Sequence, residues 1–99
     1  MPLSKSQIKF LRGKCHALNP VIMVGQKGLT PQVLKELDIA LDQHELVKIK
    51  IAAEDREATL AIMDEISGRE DSERVQVIGK TLTVFRRNKQ KPILQLPKD

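Results

Sequence analysis

The first part of the chain has the apolar spacing of a helix. Ser4 followed three residues later by Gln7 is a capping box, so we expect the helix to begin there. Apolar residues then recur at spacings of three, four and three, which places them on one helical face: Ile8, Leu11, Cys15 and Leu18. Asn19-Pro20 ends the helix, because proline disfavours helical backbone in the residue before it.

Four consecutive apolar residues, Val21 to Val24, predict a short strand that is buried on both faces. A glycine-containing turn follows. Thr30 and Pro31 then supply the N-cap and the first position of a second helix. Five apolar residues of that helix and one histidine at the edge of the core fall within an arc of about 120°: Val33, Leu34, Leu37, Ala40, Leu41 and His44.

The second half of the chain predicts two more strands, a helix and a hairpin. Leu46 to Ile51 alternates between apolar residues and lysines, so Lys48 and Lys50 should lie on the wetter face of a strand. Residues 55–67 have the apolar spacing of a third helix. Residues 74–85 predict a β-hairpin that turns at Gly79-Lys80.

These elements predict an α/β chain of the α+β two-layer kind, in the order α-β-α-β-α-β-β. A strand, a helix and a strand in succession imply a parallel crossover, and the hairpin adds antiparallel pairs, so we expect a mixed four-stranded sheet. Ninety-nine residues make one domain. Its core should span residues 4–88, followed by a tail, 89–99, that is extended from Pro92 onwards. The strand order and the sheet face covered by the first helix stay open.

Charge is distributed in blocks along the chain. Residues 1–35 hold six lysines and arginines and no acid, residues 36–73 hold twelve acids, and residues 74–99 hold seven lysines and arginines and one acid. This distribution predicts a molecule with a basic face and an acidic face. The alternative is that the blocks are only solvated surface. The chain has two phenylalanines and no tyrosine or tryptophan, which argues against single-strand binding by aromatic stacking.

The turn between the first strand and the second helix has the sequence Gly25-Gln26-Lys27-Gly28. Glycines let an anion approach the backbone closely, and a helix start offers unpaired N–H groups and a positive dipole end. This loop could therefore hold a phosphate, although a plain tight turn is an equally good interpretation. No nucleotide-binding fingerprint, catalytic pair of side chains or metal-ligand cluster accompanies it. We therefore expect no catalytic residue, no metal and no cofactor.

Several ordered motifs make the chain resemble the CRM domain, and more closely the bacterial stand-alone YhbY-like proteins. They span nearly all of residues 4–88: Leu11, His16, Leu18, Pro20, Val24 to Thr30, His44 to Ile49, Ile78 to Lys80, and Phe85-Arg86. The resemblance implies a fold similar to the C-terminal domain of bacterial translation initiation factor three, with an added N-terminal helix. It also implies RNA binding without catalysis, with the glycine loop in contact with RNA.

For the stand-alone members, the resemblance implies an association with precursors of the large ribosomal subunit. The candidate RNA-binding residues combine the loop with nearby cations: Gly25, Gln26, Lys27, Gly28, Lys5, Lys9, Arg12, Lys48, Arg86 and Arg87. Two alternatives stay open, a small phosphate-ligand enzyme that uses the same loop and a protein-interaction module that uses the acidic middle segment. We expect a cytoplasmic protein that does not enter membranes, with a monomer favoured.

Overall fold

The structure, a computed structural model, describes residues 3–69 and 72–97. Its elements follow the predicted order of three helices and four strands: α1 Lys5–Cys15, β1 Ile22–Val24, α2 Pro31–His44, β2 Leu46–Ile51, α3 Arg56–Ser67, β3 Glu73–Ile78 and β4 Thr81–Phe85. The first helix ends before the predicted Asn19-Pro20 boundary. Within the described ranges, none of the helices is long and apolar enough to cross a membrane.

The four strands form one mixed sheet in the order β1-β2-β4-β3. β1 and β2 are parallel, as the strand–helix–strand order predicts, and β4 is antiparallel to both of its neighbours, β2 and β3. The hairpin turn has Gly79 at a φ of 57°, which glycine adopts readily. The predicted mixed four-stranded sheet is therefore confirmed, and its order places β1 and β3 at the two edges.

Helices α2 and α3 cover one face of the sheet and form the larger core. The buried side chains of β2 that alternate along the strand, Val47, Ile49 and Ile51, face these helices. α2 begins as predicted, since the Thr30 hydroxyl accepts a hydrogen bond from the Val33 N–H at 3.2 Å. This layer holds the acidic helices of the middle segment, so the acids of α2 and α3 lie on one side of the sheet.

Helix α1 lies on the opposite face of the sheet and covers only part of it. Leu11 and Cys15 pack there against Leu46, Val75 and Phe85, and the tail adds Leu94 and Leu96 to the same cluster. The predicted capping box is present, with Gln7 N–H donating to the Ser4 hydroxyl and Ser4 N–H donating to the Gln7 side chain. The sheet and α2/α3 form the predicted two layers, and α1 is an addition to them.

The prediction that β1 is buried on both faces is wrong. Ile22 and Val24 are buried beneath α2, but Met23 is 65% exposed and the preceding Val21 is 58% exposed. β1 is an edge strand, and α1 ends before it reaches this part of the sheet. Four apolar residues in a row therefore supply one buried face and one open face.

The tail is held by a buried carboxylate at the end of α2. Glu45 is fully buried, and its side chain accepts hydrogen bonds from the backbone N–H groups of Asn88, Ile93 and Leu94 at 2.7 to 2.8 Å. Its backbone has a φ of 62° and a ψ of −44°, which is strained for a residue with a side chain. The described part of the tail, up to Pro97, has neither helix nor strand.

Candidate nucleic-acid interface

The loop from Gly25 to Gly28 is a tight turn at the end of β1. The Gly28 N–H donates to the Gly25 carbonyl oxygen at 3.0 Å, which closes the turn. Gln26 and Lys27 lie at its exposed tip. Within residues 3–69 and 72–97, the backbone N–H groups of Gln26 and Lys27 have no hydrogen-bond partner. The tip therefore offers two N–H donors and one ammonium group to an anion.

The two glycines of the loop are present for different reasons. Gly28 has a φ of 74°, a conformation that strains any residue with a side chain. Gly25 has no such constraint, and a Cβ added there would meet nothing within 4 Å. The fold therefore requires glycine at position 28, whereas no contact within the described chain requires it at position 25.

Three connections meet at the end of the sheet where this loop lies. The Val24 carbonyl accepts a hydrogen bond from Ala52 N–H at 2.8 Å, which ties the loop to the connection after β2. The Lys80 carbonyl accepts one from Ile51 N–H, also at 2.8 Å, which ties the hairpin turn to the same connection. We call this end, with residues 25–28, 52–55 and 79–80, the loop end. It places Lys80 at the same end of the sheet as the glycine loop, with β2 between them.

Helix α1 supplies cations and no acid to its side of the sheet. Lys5 and Lys9 are exposed on this helix, as the sequence pattern predicts. Arg12 is also exposed, and its Nε donates to the Val75 carbonyl oxygen of β3 at 3.1 Å. That bond fixes the base of the guanidinium group against the sheet. Lys14 lies over the Phe10 ring, 5.4 Å from its centroid.

Lys48 lies on the same sheet face as α1, but its ammonium group has partners inside the protein. Nζ donates to the carbonyl oxygens of Cys15 at 3.0 Å and Leu18 at 3.2 Å. These carbonyls belong to the end of α1 and the turn after it, where the negative end of the helix dipole favours a cation. The Cys15 carbonyl also accepts a hydrogen bond from the Leu18 N–H at 3.1 Å. Lys48 therefore links α1 to β2, and a contact with RNA stays a prediction for this residue.

Arg86 and Arg87 lie at the end of the sheet opposite the glycine loop. β4 runs between the two ends, and its five residues span roughly 16 Å. The Arg86 guanidinium group donates to the Asp38 carboxylate at 3.0 Å and to the Asp42 carboxylate at 2.9 Å, both on α2. Arg87 donates to the Leu94 carbonyl oxygen at 3.1 Å. The structure thus does not bring these two arginines together with the loop.

A part of the sheet beside the C-terminal end of α1 is left open. Side chains alternate along a strand, so Met23, Lys50, Thr81 and Ile78 share this face, and they are paired across the four strands in one row. Met23 and Ile78 are 65% and 60% exposed. We call this surface, with Val21 and the next row of Lys48, Thr83 and Gln76, the open half of the sheet.

The sequence pattern did not select Lys50 or Lys80 as candidate residues. The alternation in β2 places Lys50 on the same face as Lys48, so that pattern could have identified it. Lys80 could not be found in this way, because the sequence does not show that the hairpin turn lies at the same end of the sheet as the glycine loop. Lys50 is exposed on the open half and Lys80 is exposed at the loop end.

The side chains of Cys15 and His44, which are of types that often act in catalysis or metal binding, are not part of this surface. Cys15 is buried, and its thiol donates to the Leu11 carbonyl oxygen, as expected for a core position in a helix. His44 is exposed at the end of α2. Among the residues that the structure describes, no group of three or more histidine, cysteine, aspartate and glutamate side chains is placed to hold a metal ion.

Comparison with known proteins identifies relatives over almost the whole chain. A family model for the CRS1/YhbY (CRM) domain matches residues 3–86. A Haemophilus influenzae protein named as an RNA-binding protein is 44% identical over 96 residues, which are 97% of this chain and 96% of that protein. A Pseudomonas aeruginosa protein named as a probable RNA-binding protein is 42% identical over 89% of this chain and 85% of its own length.

The fold also matches a solved structure. The solution structure of a hypothetical Staphylococcus aureus protein, described there as a candidate RNA-binding protein, superposes with a TM-score of 0.80 at 27% sequence identity. The match covers 97% of this chain and 100% of that protein. The similarity therefore includes the N-terminal helix and the sheet together.

Proposed function

Because the chain belongs to the CRS1/YhbY (CRM) domain family, we propose that it binds structured RNA through the glycine loop and the cations on the α1 side of the sheet. The relatives named as RNA-binding proteins support the partner class. The binding would be to the phosphate backbone, since the exposed hydrogen-bond donors on this side include ammonium groups, a guanidinium group and backbone N–H groups. We propose no catalytic step and no cofactor.

The observation that carries this proposal is Gly25. Its side of the loop is open, its φ is not positive and an added Cβ would contact nothing in the protein. A glycine that the fold does not require is explained if a ligand approaches the backbone closely at that point. The exposed Gln26 and Lys27 beside it provide the donors that a phosphate needs.

The separation of charge between the two sides of the sheet favours the same surface. The α1 side and the loop end present exposed cations, among them Lys5, Lys9, Arg12, Lys50, Lys80 and Lys27. The acids of α2 and α3 lie on the opposite side, where they would repel a polyanion. RNA would therefore approach the α1 side.

The other three candidate residues have weaker support within this proposal. Lys48 has two of its three donors engaged at the end of α1. Arg86 is neutralised by two aspartates, and Arg87 lies beside it at the far end of the sheet. We propose that these residues hold elements of the fold in place and contribute less to RNA affinity than Lys27.

We further propose that the RNA is a precursor of the large ribosomal subunit, which the resemblance to the stand-alone bacterial proteins supports. Crosslinking in bacterial cells, followed by sequencing of the attached RNA, tests this partner. The expected result is enrichment at one region of the precursor of large-subunit RNA. An even scatter over all cellular RNAs would contradict it. The protein would act as a cytoplasmic monomer.

Salt titration tests the binding mode separately from the identity of the RNA. Five to seven neutralised phosphates should give a slope of log K against log salt of roughly −4 to −6 for an RNA hairpin. Fluorescence anisotropy with a labelled hairpin measures this slope. A slope near zero would contradict binding through the phosphate backbone, whichever RNA the protein meets in the cell.

A further inference from the structure

The open half of the sheet contains a cavity that phosphate binding does not explain. Its volume is about 150 Å³, and six residues line it: Pro20, Lys48, Gln76, Ile78, Thr81 and Thr83. One water needs about 10–15 Å³, so the cavity has room for roughly ten water-sized groups. That is about the size of a pyrimidine or purine ring system.

The floor of this cavity holds a threonine whose hydroxyl has no hydrogen-bond partner among the described residues. Thr83 is 1% exposed, and within residues 3–69 and 72–97 its hydroxyl makes no hydrogen bond. Every fully enclosed side-chain nitrogen or oxygen in those ranges has a hydrogen-bond partner, so the Thr83 hydroxyl is still in contact with the cavity. The side chains of Gln76 and Thr81, which stand beside it, also lack a partner in the described chain. The cavity therefore presents hydrogen-bonding groups that a ligand could satisfy.

The surroundings of the cavity combine apolar surface with positive charge. Ile78 and Pro20 form part of its wall, and exposed Met23 lies in the same cross-strand row as Ile78. Lys48 and Lys50 are the charged side chains on this part of the face. A matching ligand needs a flat apolar surface, a polar edge and an attached negative charge. A nucleotide has all three.

The position of the cavity fits a nucleotide that belongs to the same RNA as the phosphates at the loop. Thr81 lies two strands away from β1, and Gly25 lies two residues beyond Met23 along β1. Strand spacing and rise per residue place the two sites roughly 12 Å apart. An RNA bound at the loop end could thus place a neighbouring unpaired nucleotide over the open half.

We propose that this cavity binds an unpaired nucleobase of the RNA, with Thr83, Thr81 and Gln76 hydrogen-bonding to the edge of the base. The inference rests on the proposed RNA binding and adds a base-reading site to it. Chains that read single strands by stacking use aromatic side chains, and the residues that form the open half include none. Here aliphatic side chains would contact the faces of the base, and hydrogen bonds from the polar groups would determine which of the four bases is preferred.

The test compares three kinds of RNA probe that share one hairpin. The first is the blunt hairpin, the second carries a short unpaired tail made in versions with each of the four bases, and the third carries the same tail with abasic nucleotides. Anisotropy gives the affinity of each probe for the full chain. We expect at least one tailed hairpin to bind about tenfold more tightly than both the blunt and the abasic probe.

The matched variant is Thr83→Val, which replaces the hydroxyl with a methyl group of similar size. This variant should bind the blunt hairpin with unchanged affinity. Its affinity for the tailed hairpin should fall about fivefold, as expected for the loss of one hydrogen bond. Gln76→Ala, at a half-buried position, should act in the same direction. Thermal unfolding of both variants shows whether the fold is retained.

Three results would overturn the inference. The first is an abasic tail that improves binding as much as a tail with bases, and the second is full retention of the tail effect in both variants. The third is that no tail improves binding, in which case the cavity is not a nucleobase site and a protein side chain becomes the candidate occupant. Binding of the blunt hairpin with a steep salt slope would still support the proposed function in each of these cases.

Discussion

The Lys48 ammonium group lies 3.0 Å from the carbonyl oxygen of Cys15 and donates a hydrogen bond to it. This bond joins the middle of β2 to the last residue of α1, and a second bond to the Leu18 carbonyl extends the link into the following turn. A charged donor at the C-terminal end of a helix is favourable because it lies at the negative end of the helix dipole.

Replacing Lys48 with methionine should destabilise the protein by about 1–2 kcal/mol, because two charge-assisted hydrogen bonds are lost at a half-buried site. Urea unfolding followed by circular dichroism measures the change. Lys50→Met is the matched control, since it removes the same charge from the same strand face at an exposed position. Equal stabilities of the two variants would contradict the linking role of Lys48.

Glu45→Gln should loosen the tail. The carboxylate accepts three backbone N–H groups, and an amide in its place turns its own N–H₂ toward one of these donors. We expect a loss of about 2 kcal/mol, together with faster hydrogen exchange at Asn88, Ile93 and Leu94. Glu54→Gln, at an exposed position, is the control. Unchanged exchange at the three amides would show that Glu45 does not hold the tail.

Arg86→Ala should affect stability more than RNA binding. The side chain bridges Asp38 and Asp42 and also donates to the Asp38 backbone carbonyl. Its removal should cost about 1–2 kcal/mol, which lowers the melting temperature by roughly 4–16 °C in a domain of this size. Its RNA affinity at a temperature where the variant is folded should fall by less than that of Lys27→Ala. A larger fall for Arg86→Ala would mean that RNA contacts the end of the sheet opposite the glycine loop.

Gly25→Ala and Gly28→Ala should have different effects, although both change a glycine of the loop. At Gly25 an added Cβ meets nothing, so the stability should be unchanged while RNA affinity falls severalfold. At Gly28 the φ of 74° is unfavourable for alanine, so the stability should fall by about 1 kcal/mol. Thermal unfolding and anisotropy measure the two effects. Full RNA affinity of a folded Gly25→Ala would show that RNA does not approach the backbone closely at this glycine.

Helix starts, strand alternation and the hairpin turn were predictable because their causes are local. The Ser4–Gln7 capping box, Thr30 with Pro31, and Gly79 all act within a few residues of chain. The burial of β1 was not predictable, because its open face depends on where α1 ends and on the edge position of the strand. A run of apolar residues has the same sequence pattern whether the strand is buried on both faces or has one face exposed.

The partners of charged residues could not be read from the sequence for a similar reason. Arg86 finds Asp38 and Asp42 more than forty positions earlier in the chain. Glu45 accepts hydrogen bonds from a tail for which the sequence predicts only an extended conformation. Counting cations along the chain therefore overstates the number available to RNA. The position of the loop was predictable from the sequence, but its location at the same end of the sheet as Lys80 was not.

The most direct test of RNA binding through the glycine loop compares Lys27→Ala with Lys89→Ala in salt titrations against the same RNA hairpin. Both variants remove one exposed lysine, but Lys27 lies at the loop end and Lys89 follows Arg87 at the opposite end of the sheet. We predict that Lys27→Ala weakens binding and makes the slope of log K against log salt shallower by about one unit. Lys89→Ala should leave the slope nearly unchanged. Equal slopes for the two variants, or a larger effect at Lys89, would contradict binding through the glycine loop.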